Sequence, residues 1–233
     1  MNILVAESLA PAALELLRAE PGWNVIESDP KGYQGHLAAA EALIVRSAVK
    51  VTAQVLRQAP NLRVIGRAGV GVDNIDLAVA TERGVLVMNT PGGNAISVAE
   101  HTLALMLAMA RSIPQASAST RAGRWEKKKF MGTELRGKTL GVVGLGAIGI
   151  EVVKRARPFG MKIIAHDPFV SAQLAADEGV ELVSLDDLCG RSDYITLHAS
   201  MTAQTHGMLN ADAFARMKPG VRIVNCARGE LIV

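Results

Sequence analysis

Short runs of aliphatic and β-branched residues recur through the first 90 residues, separated by stretches with a different spacing. ILVAE (3–7), NVIES (24–28), ALIVRS (42–47), RVIGRAG (63–69) and VLVMN (85–89) have the length and make-up of buried strands. PAALELLRAE (11–20) and TAQVLRQA (52–59) instead carry apolar residues three and four apart, which predicts amphipathic helices. Strands alternating with helices predict a parallel sheet covered by helices on both faces.

The pattern changes at Ala95. AISVAEHTLALMLAMARSI spells about five turns of helix that are apolar on nearly every face. A helix of that kind is buried on all sides, so it is expected to serve both as a core helix between domains and as a subunit interface. RAGRWEKKKFMGTELRG, which follows, is polar and turn-rich and reads as an extended arm or connector. A second alternating series begins at KTLGVVG (138–144). It continues through a helix at 147–159, KIIAH (162–166), a helix near 171–178 and VELVS (180–184). A short helix at 185–190, YITLHA (194–199), a helix at 211–217 and RIVNCA (222–227) complete it. No sequence repeat relates the halves. The expected fold is therefore α/β, with two Rossmann-like or flavodoxin-like domains built on parallel sheets.

Composition narrows the function. Of 233 residues, 49% are apolar, 20% charged and only 3% aromatic, so the core must come from Ala, Val, Leu and Ile. The net charge of +3 arises largely in one cluster, Arg121 to Lys129. No basic stripe with interleaved aromatics recurs, which makes nucleic acid a weak reading and a small anionic substrate an equally good partner. MNILVAES shows no secretion signal, and LALMLAMA (103–110) falls well short of the ~20 residues that span a bilayer. Cys189 and Cys226 are isolated, so neither a disulfide framework nor a metal site is indicated. The chain is expected to be reduced and cytoplasmic, with no membrane partner.

Three glycines, Gly144, Gly146 and Gly149, stand at G-x-G-x-x-G spacing in GVVGLGAIGIE. Alone that is a weak signal, since glycines also mark ordinary strand-to-helix turns. Here a buried-type strand precedes them, a helix follows, and Asp167 closes the next strand. That context is the dinucleotide fingerprint, with pyrophosphate at the helix N-terminus and an acid on the ribose. An acid followed by Pro168 rather than arginine favours NAD over NADP.

Arg46 and Arg67 end strands, where an arginine can be a plain surface residue or, at the carboxyl edge of a parallel sheet, part of an anion pocket. Gly69 and Gly71 after Arg67 would leave backbone N–H groups free for a carboxylate. Arg228, ending RIVNCARG, admits either a buried ion pair or a bidentate grip on a keto acid. His36, His101, His166 and His206 show no ligand spacing. His198 either lines the cofactor cleft or simply packs.

Over all 233 residues the chain resembles the D-isomer-specific 2-hydroxyacid dehydrogenases. IVRSAVKVT (44–52), VIGRAGVGVDNID (64–76), MNTPGGNAISVAEHT (88–102), WEKKKFMGTEL (125–135), GVVGLGAIG (141–149) and VNCARGE (224–230) carry the resemblance. The WEKKKFMGTEL and RAGVGVDN blocks point within that family to the phosphoglycerate branch. The resemblance implies NAD-dependent oxidation of D-3-phosphoglycerate to 3-phosphohydroxypyruvate, the first step of serine biosynthesis. It implies a substrate-binding domain over 1–94, completed by a C-terminal return, and an inserted NAD-binding domain over 95–233. The helix from Ala95 would centre a homodimer, or a homotetramer built from it.

Carried over by position, the resemblance places Arg46, Ser47 and Asn94 in the substrate pocket, with Arg67 near it and the backbone of Ala68 to Val70 meeting the substrate carboxylate. Gly144, Gly146, Ala147, Ile148, Gly149 and Asp167 would hold NAD, with His198, Ala199 and the backbone of Cys226 and Ala227. Arg228 matches the catalytic arginine. Three departures stand out. Ala147 replaces a common arginine, and Ala199–Ser200 replace a Thr/Val–Pro pair. The family's glutamate and histidine acid/base pair lies downstream of the arginine, and none of the five histidines present matches it, so the chain is expected to be truncated. A glyoxylate or hydroxypyruvate reductase and a non-catalytic, NAD-sensing corepressor are the alternatives.

Overall fold

The computed structural model describes residues 1–233, which divide into two compact units, Met1–Gly93 and Asn94–Val233. In the first unit the strands are β1 (Asn2–Val5), β2 (Asn24–Glu27), β3 (Ala42–Val45), β4 (Val64–Arg67) and β5 (Leu86–Asn89). They form one parallel sheet in the order β2-β1-β3-β4-β5. The helices are α1 (Pro11–Ala19), α2 (Ala53–Gln58) and α3 (Leu77–Glu82), with a 3-10 turn at Tyr33–Ala39.

Side-chain alternation along β1 builds two cores. Leu4 joins Leu43, Ile65, Leu56 and Ala80 on one face, while Ile3 and Val5 join Leu14 and Leu17 of α1 on the other. Thr52 caps α2 by accepting the Val55 N–H at 3.4 Å, and Asp76 caps α3 by accepting that of Val79 at 3.1 Å. The sequence reading names neither α3 nor the 3-10 turn, because LAVATE and YQGHLAA are too short for a periodicity to emerge.

The second unit opens with α4 (Ala95–Arg111) and α5 (Ile113–Arg121), followed by a 3-10 turn at Lys127–Phe130. Its strands are β6 (Thr139–Val143), β7 (Lys162–His166), β8 (Glu181–Leu182), β9 (Tyr194–Leu197) and β10 (Arg222–Asn225), parallel in the order β10-β9-β6-β7-β8. Helices α6 (Ala147–Ala156), α7 (Ala172–Asp177), α8 (Leu185–Arg191) and α9 (Ala211–Arg216) connect them. Leu103 and Met106 of α4 and Val152 and Val153 of α6 cover one face with Leu140 and Val142. Leu188, Ala213 and Met217 cover the other with Val143, Ile195 and Leu197.

Within this one chain the long helix packs along a single side, and it ends short of the apolar pattern that predicts it. It is buried along one stripe, Ala95, Ala99, Thr102, Leu103, Met106 and Ala110, while Ile96, Leu105 and Met109 are exposed. It also stops at Arg111. Ser112 adopts φ 49°, and Pro114 has no N–H to offer the Ala110 carbonyl. That carbonyl instead accepts from Thr133 N at 2.9 Å, which pins the connector to the end of α4. The connector also holds a short helical turn where an extended arm was expected. No single helix is long and apolar enough to cross a membrane; α4 and α5 meet the compositional test only as a pair bent by 63°.

Candidate cofactor and substrate sites

In the second unit the chemistry gathers at the carboxyl ends of β6, β7, β9 and β10. The connection from β6 leads towards β7, and β9 lies on the opposite side of β6, so the crevice for a ligand opens beside β6. Gly144 ends the strand at φ 91°, and a Cβ there would strike the backbone of His198 and Ala199. Its N–H donates to the His166 carbonyl at 2.9 Å, while the His198 N–H donates to Val143 at 2.7 Å. Gly146 caps α6 with open space where a side chain would project, and no side chain bonds the first-turn N–H groups of Ala147 and Ile148. Gly149 packs against the Gly144 carbonyl with no room for a Cβ. One tight turn, one open approach and one close packing contact are what a pyrophosphate at a helix N-terminus requires, so these residues fit a dinucleotide.

Asp167 follows β7. Its Oδ2 accepts the Leu145 N–H at 2.8 Å and its Oδ1 that of Phe169 at 2.9 Å. Each oxygen keeps a lone pair for a ribose hydroxyl. Phe169 beside it is 95% exposed, an aromatic face in solvent that sequence reasoning passed over.

His198 bonds the Thr196 hydroxyl through Nε2 at 2.9 Å, and its Nδ1 is buried without a partner. Burial lowers its pKa to about 4, so the ring is neutral at physiological pH. Past β10, Asn225 shapes the turn: its Oδ1 accepts the Ala227 N–H at 3.0 Å and its Nδ2 donates to the Arg228 carbonyl at 2.7 Å. Arg228 is half-buried and donates to the Ala227 carbonyl at 2.9 Å. A cavity of about 370 Å³ next to this turn is lined by Asn225, Cys226, Ser97, Val98, His101 and Leu105. Asn225 and His101 carry no motif spacing that would have singled them out. Asn94 stands at the N-terminus of α4 and makes no side-chain capping bond.

In the first unit Arg46 and Ser47 are exposed just beyond β3, and Arg67 ends β4 half-buried. The Arg67 guanidinium lies over Gly69, where a Cβ would collide with it. Gly69 has φ 155°. The free N–H groups expected after Arg67 are fewer than the glycines implied. Ala68 donates to Val45 at 2.9 Å and Gly69 to the Arg67 carbonyl at 2.8 Å, leaving Val70 and Gly71 outside backbone hydrogen bonds.

A glycine turn on α6, an acid closing β7 and an arginine closing β10 describe a nucleotide-binding oxidoreductase domain. Residues 103–233 match the family described as D-isomer specific 2-hydroxyacid dehydrogenase, NAD binding domain. The chain belongs to the D-isomer-specific 2-hydroxyacid dehydrogenases, and its cofactor is NAD. Among curated relatives it is 49% identical to D-3-phosphoglycerate dehydrogenase of Rattus norvegicus over 99% of this chain and 44% of the relative. The chain thus spans less than half the length of that relative. The crystal structure of the TT0316 protein from Thermus thermophilus superposes with a TM-score of 0.91 at 36% identity, covering 100% of this chain and 76% of the other. D-lactate dehydrogenase from Aquifex aeolicus, solved with NAD and lactic acid, superposes with a TM-score of 0.89 at 30% identity, over 100% of this chain and 70% of the other.

Proposed function

We propose that this chain serves the NAD-dependent oxidation of D-3-phosphoglycerate to 3-phosphohydroxypyruvate, the entry to serine biosynthesis, in a cytoplasmic homodimer or homotetramer. The observation that carries the reading is identity of 49% over nearly the whole chain to a D-3-phosphoglycerate dehydrogenase. NAD, when bound, accepts a hydride at nicotinamide C4.

In the second unit the N–H groups of Ala147 and Ile148 hold the pyrophosphate and Asp167 the adenosine ribose. Phe169 offers a face for the adenine, and His198, Ala199 and the backbone of Cys226 and Ala227 line the rest of the cofactor cleft. Arg228, held by Asn225 at the β10 turn, polarises the C2 oxygen and grips a carboxylate. In the first unit Arg46, Ser47, Arg67 and the Val70 N–H take the anionic groups of the substrate.

Proton transfer needs a base. His166 meets the Val183 carbonyl at 3.1 Å and His198 the Thr196 hydroxyl, so neither is poised by a carboxylate. The second unit is expected to bind NAD by itself. The test is Arg228→Ala in the full-length protein, assayed with D-3-phosphoglycerate and, for comparison, D-lactate. A fall in kcat on the order of 100-fold or more supports the assignment. An unchanged kcat, or a preference for D-lactate, overturns it.

A further inference from the structure

Glu7, just past β1, is a carboxylate residue only 8% exposed. A buried charge must be hydrogen-bonded to persist, and all three of its bonds go to one short loop. Oε1 accepts the N–H groups of Arg46 at 2.8 Å and Val49 at 2.9 Å, and Oε2 accepts that of Ala48 at 3.1 Å. Asn74 secures the same loop from the carbonyl side, its Nδ2 donating to Arg46 at 2.8 Å and Val49 at 2.7 Å. Its own backbone carbonyl accepts the Val51 N–H at 2.8 Å.

The loop between β3 and α2 thus has its inward N–H groups on an anion and its carbonyls on an amide. Of the four amides of Arg46–Val49, the Ser47 N–H alone donates neither to Glu7 nor to a backbone carbonyl, and Ser47 is exposed with Arg46. Asn74 also belongs to the segment after β4, whose far side is tied to β5. Asn89 Nδ2 donates to the Val70 carbonyl at 2.7 Å, and Thr90 N donates to that of Gly69 at 3.0 Å.

We propose that Glu7 and Asn74 are positioning residues that hold the Arg46–Val49 loop in the conformation that binds an anionic group of the substrate. The inference rests on the assignment of Arg46 and Ser47 to the substrate under the proposed function. A loop already ordered before binding spares the substrate the cost of ordering it.

Glu7→Gln separates this role from simple electrostatics. The substitution removes a negative charge beneath an anion site, which on Coulomb grounds alone tightens anion binding. It also turns an amide NH2 towards a backbone N–H, which loosens the loop. The expected result for Glu7→Gln and for Asn74→Ala is a rise of about tenfold in KM and Kd for D-3-phosphoglycerate. The KM for NAD and kcat stay within about twofold, and the amides of Arg46, Ala48 and Val49 exchange hydrogen faster. Asn74→Ala carries the test if the Glu7 variant does not fold. Substrate affinity unchanged or tightened in a folded variant with faster loop exchange overturns the proposal. If Arg46→Ala also leaves substrate affinity unchanged, the assignment of the loop to the substrate falls with it.

Discussion

Gly149 of α6 lies against the carbonyl of Gly144 at the end of β6, with no space for a side chain between them. The contact sets how closely the helix rests on the strand and therefore where its N-terminal N–H groups point. Gly149→Ala must push the helix away and is expected to cost stability, about 1–3 kcal/mol as for other overpacked cores, together with NAD affinity. Gly146→Ala meets nothing in the protein. It is expected to leave the melting temperature unchanged and to weaken NAD alone, because its methyl projects where we propose that the pyrophosphate approaches. Thermal denaturation and fluorescence titration with NAD on both variants check the contrast; equal losses of stability would refute it.

Asp167 accepts two backbone N–H groups, from Leu145 and Phe169, before any ribose reaches it. Removing it loosens the glycine turn and, with the ribose placed as we propose, deletes that contact as well. Asp167→Ala is expected to weaken NAD by about tenfold or more, the scale of a charge-assisted hydrogen bond. NADP, whose 2′-phosphate the acid repels, should lose far less. Titrating both dinucleotides measures the ratio, and a variant that still prefers NAD as strongly as the parent would contradict the assignment.

Much of this was legible in the sequence because strand composition and glycine spacing are local signals. All five strands of each sheet fall within a few residues of the apolar runs that announced them, and the turn at Gly144, Gly146 and Gly149 opens a helix as its motif requires. What was not legible depends on partners distant in the chain. The break at Ser112 needs Thr133 to take the carbonyl that Pro114 leaves unbonded. The exposed Leu105 and Met109 look, by composition, the same as the buried Leu103 and Met106. Glu7 reads as an ordinary polar residue closing a strand until the three amides of a loop some 40 positions away converge on it.

Met106 is fully buried on the inner stripe of α4, among the residues that pack this helix on α6 and the sheet. Met106→Ala leaves a cavity there and is expected to cost about 2–5 kcal/mol. Met109→Ala, three residues on and 37% exposed, should cost little in the same chain under conditions where it is monomeric. Denaturant titration of the two variants at low protein concentration distinguishes a one-sided helix from one buried all round, which would give comparable losses.

His198 gives the acid limb of stability a sign. Its pKa is lowered to about 4 from 6.5 by burial, and a proton on Nδ1 would find no acceptor. The unfolded chain therefore binds this proton more readily than the native one. Above about pH 6.5 both states are neutral and the group contributes no pH dependence. Between pH 6.5 and 4 the unfolded state is progressively favoured, by up to ~3 kcal/mol at the lower end. His198→Asn removes the titrating group, so its loss of stability over that interval should be smaller than that of the parent, although it starts from a lower value at pH 7. Urea denaturation of the pair at pH 7, 5.5 and 4.5 reads the difference directly, and parallel curves would show that His198 is not the group that resists the proton.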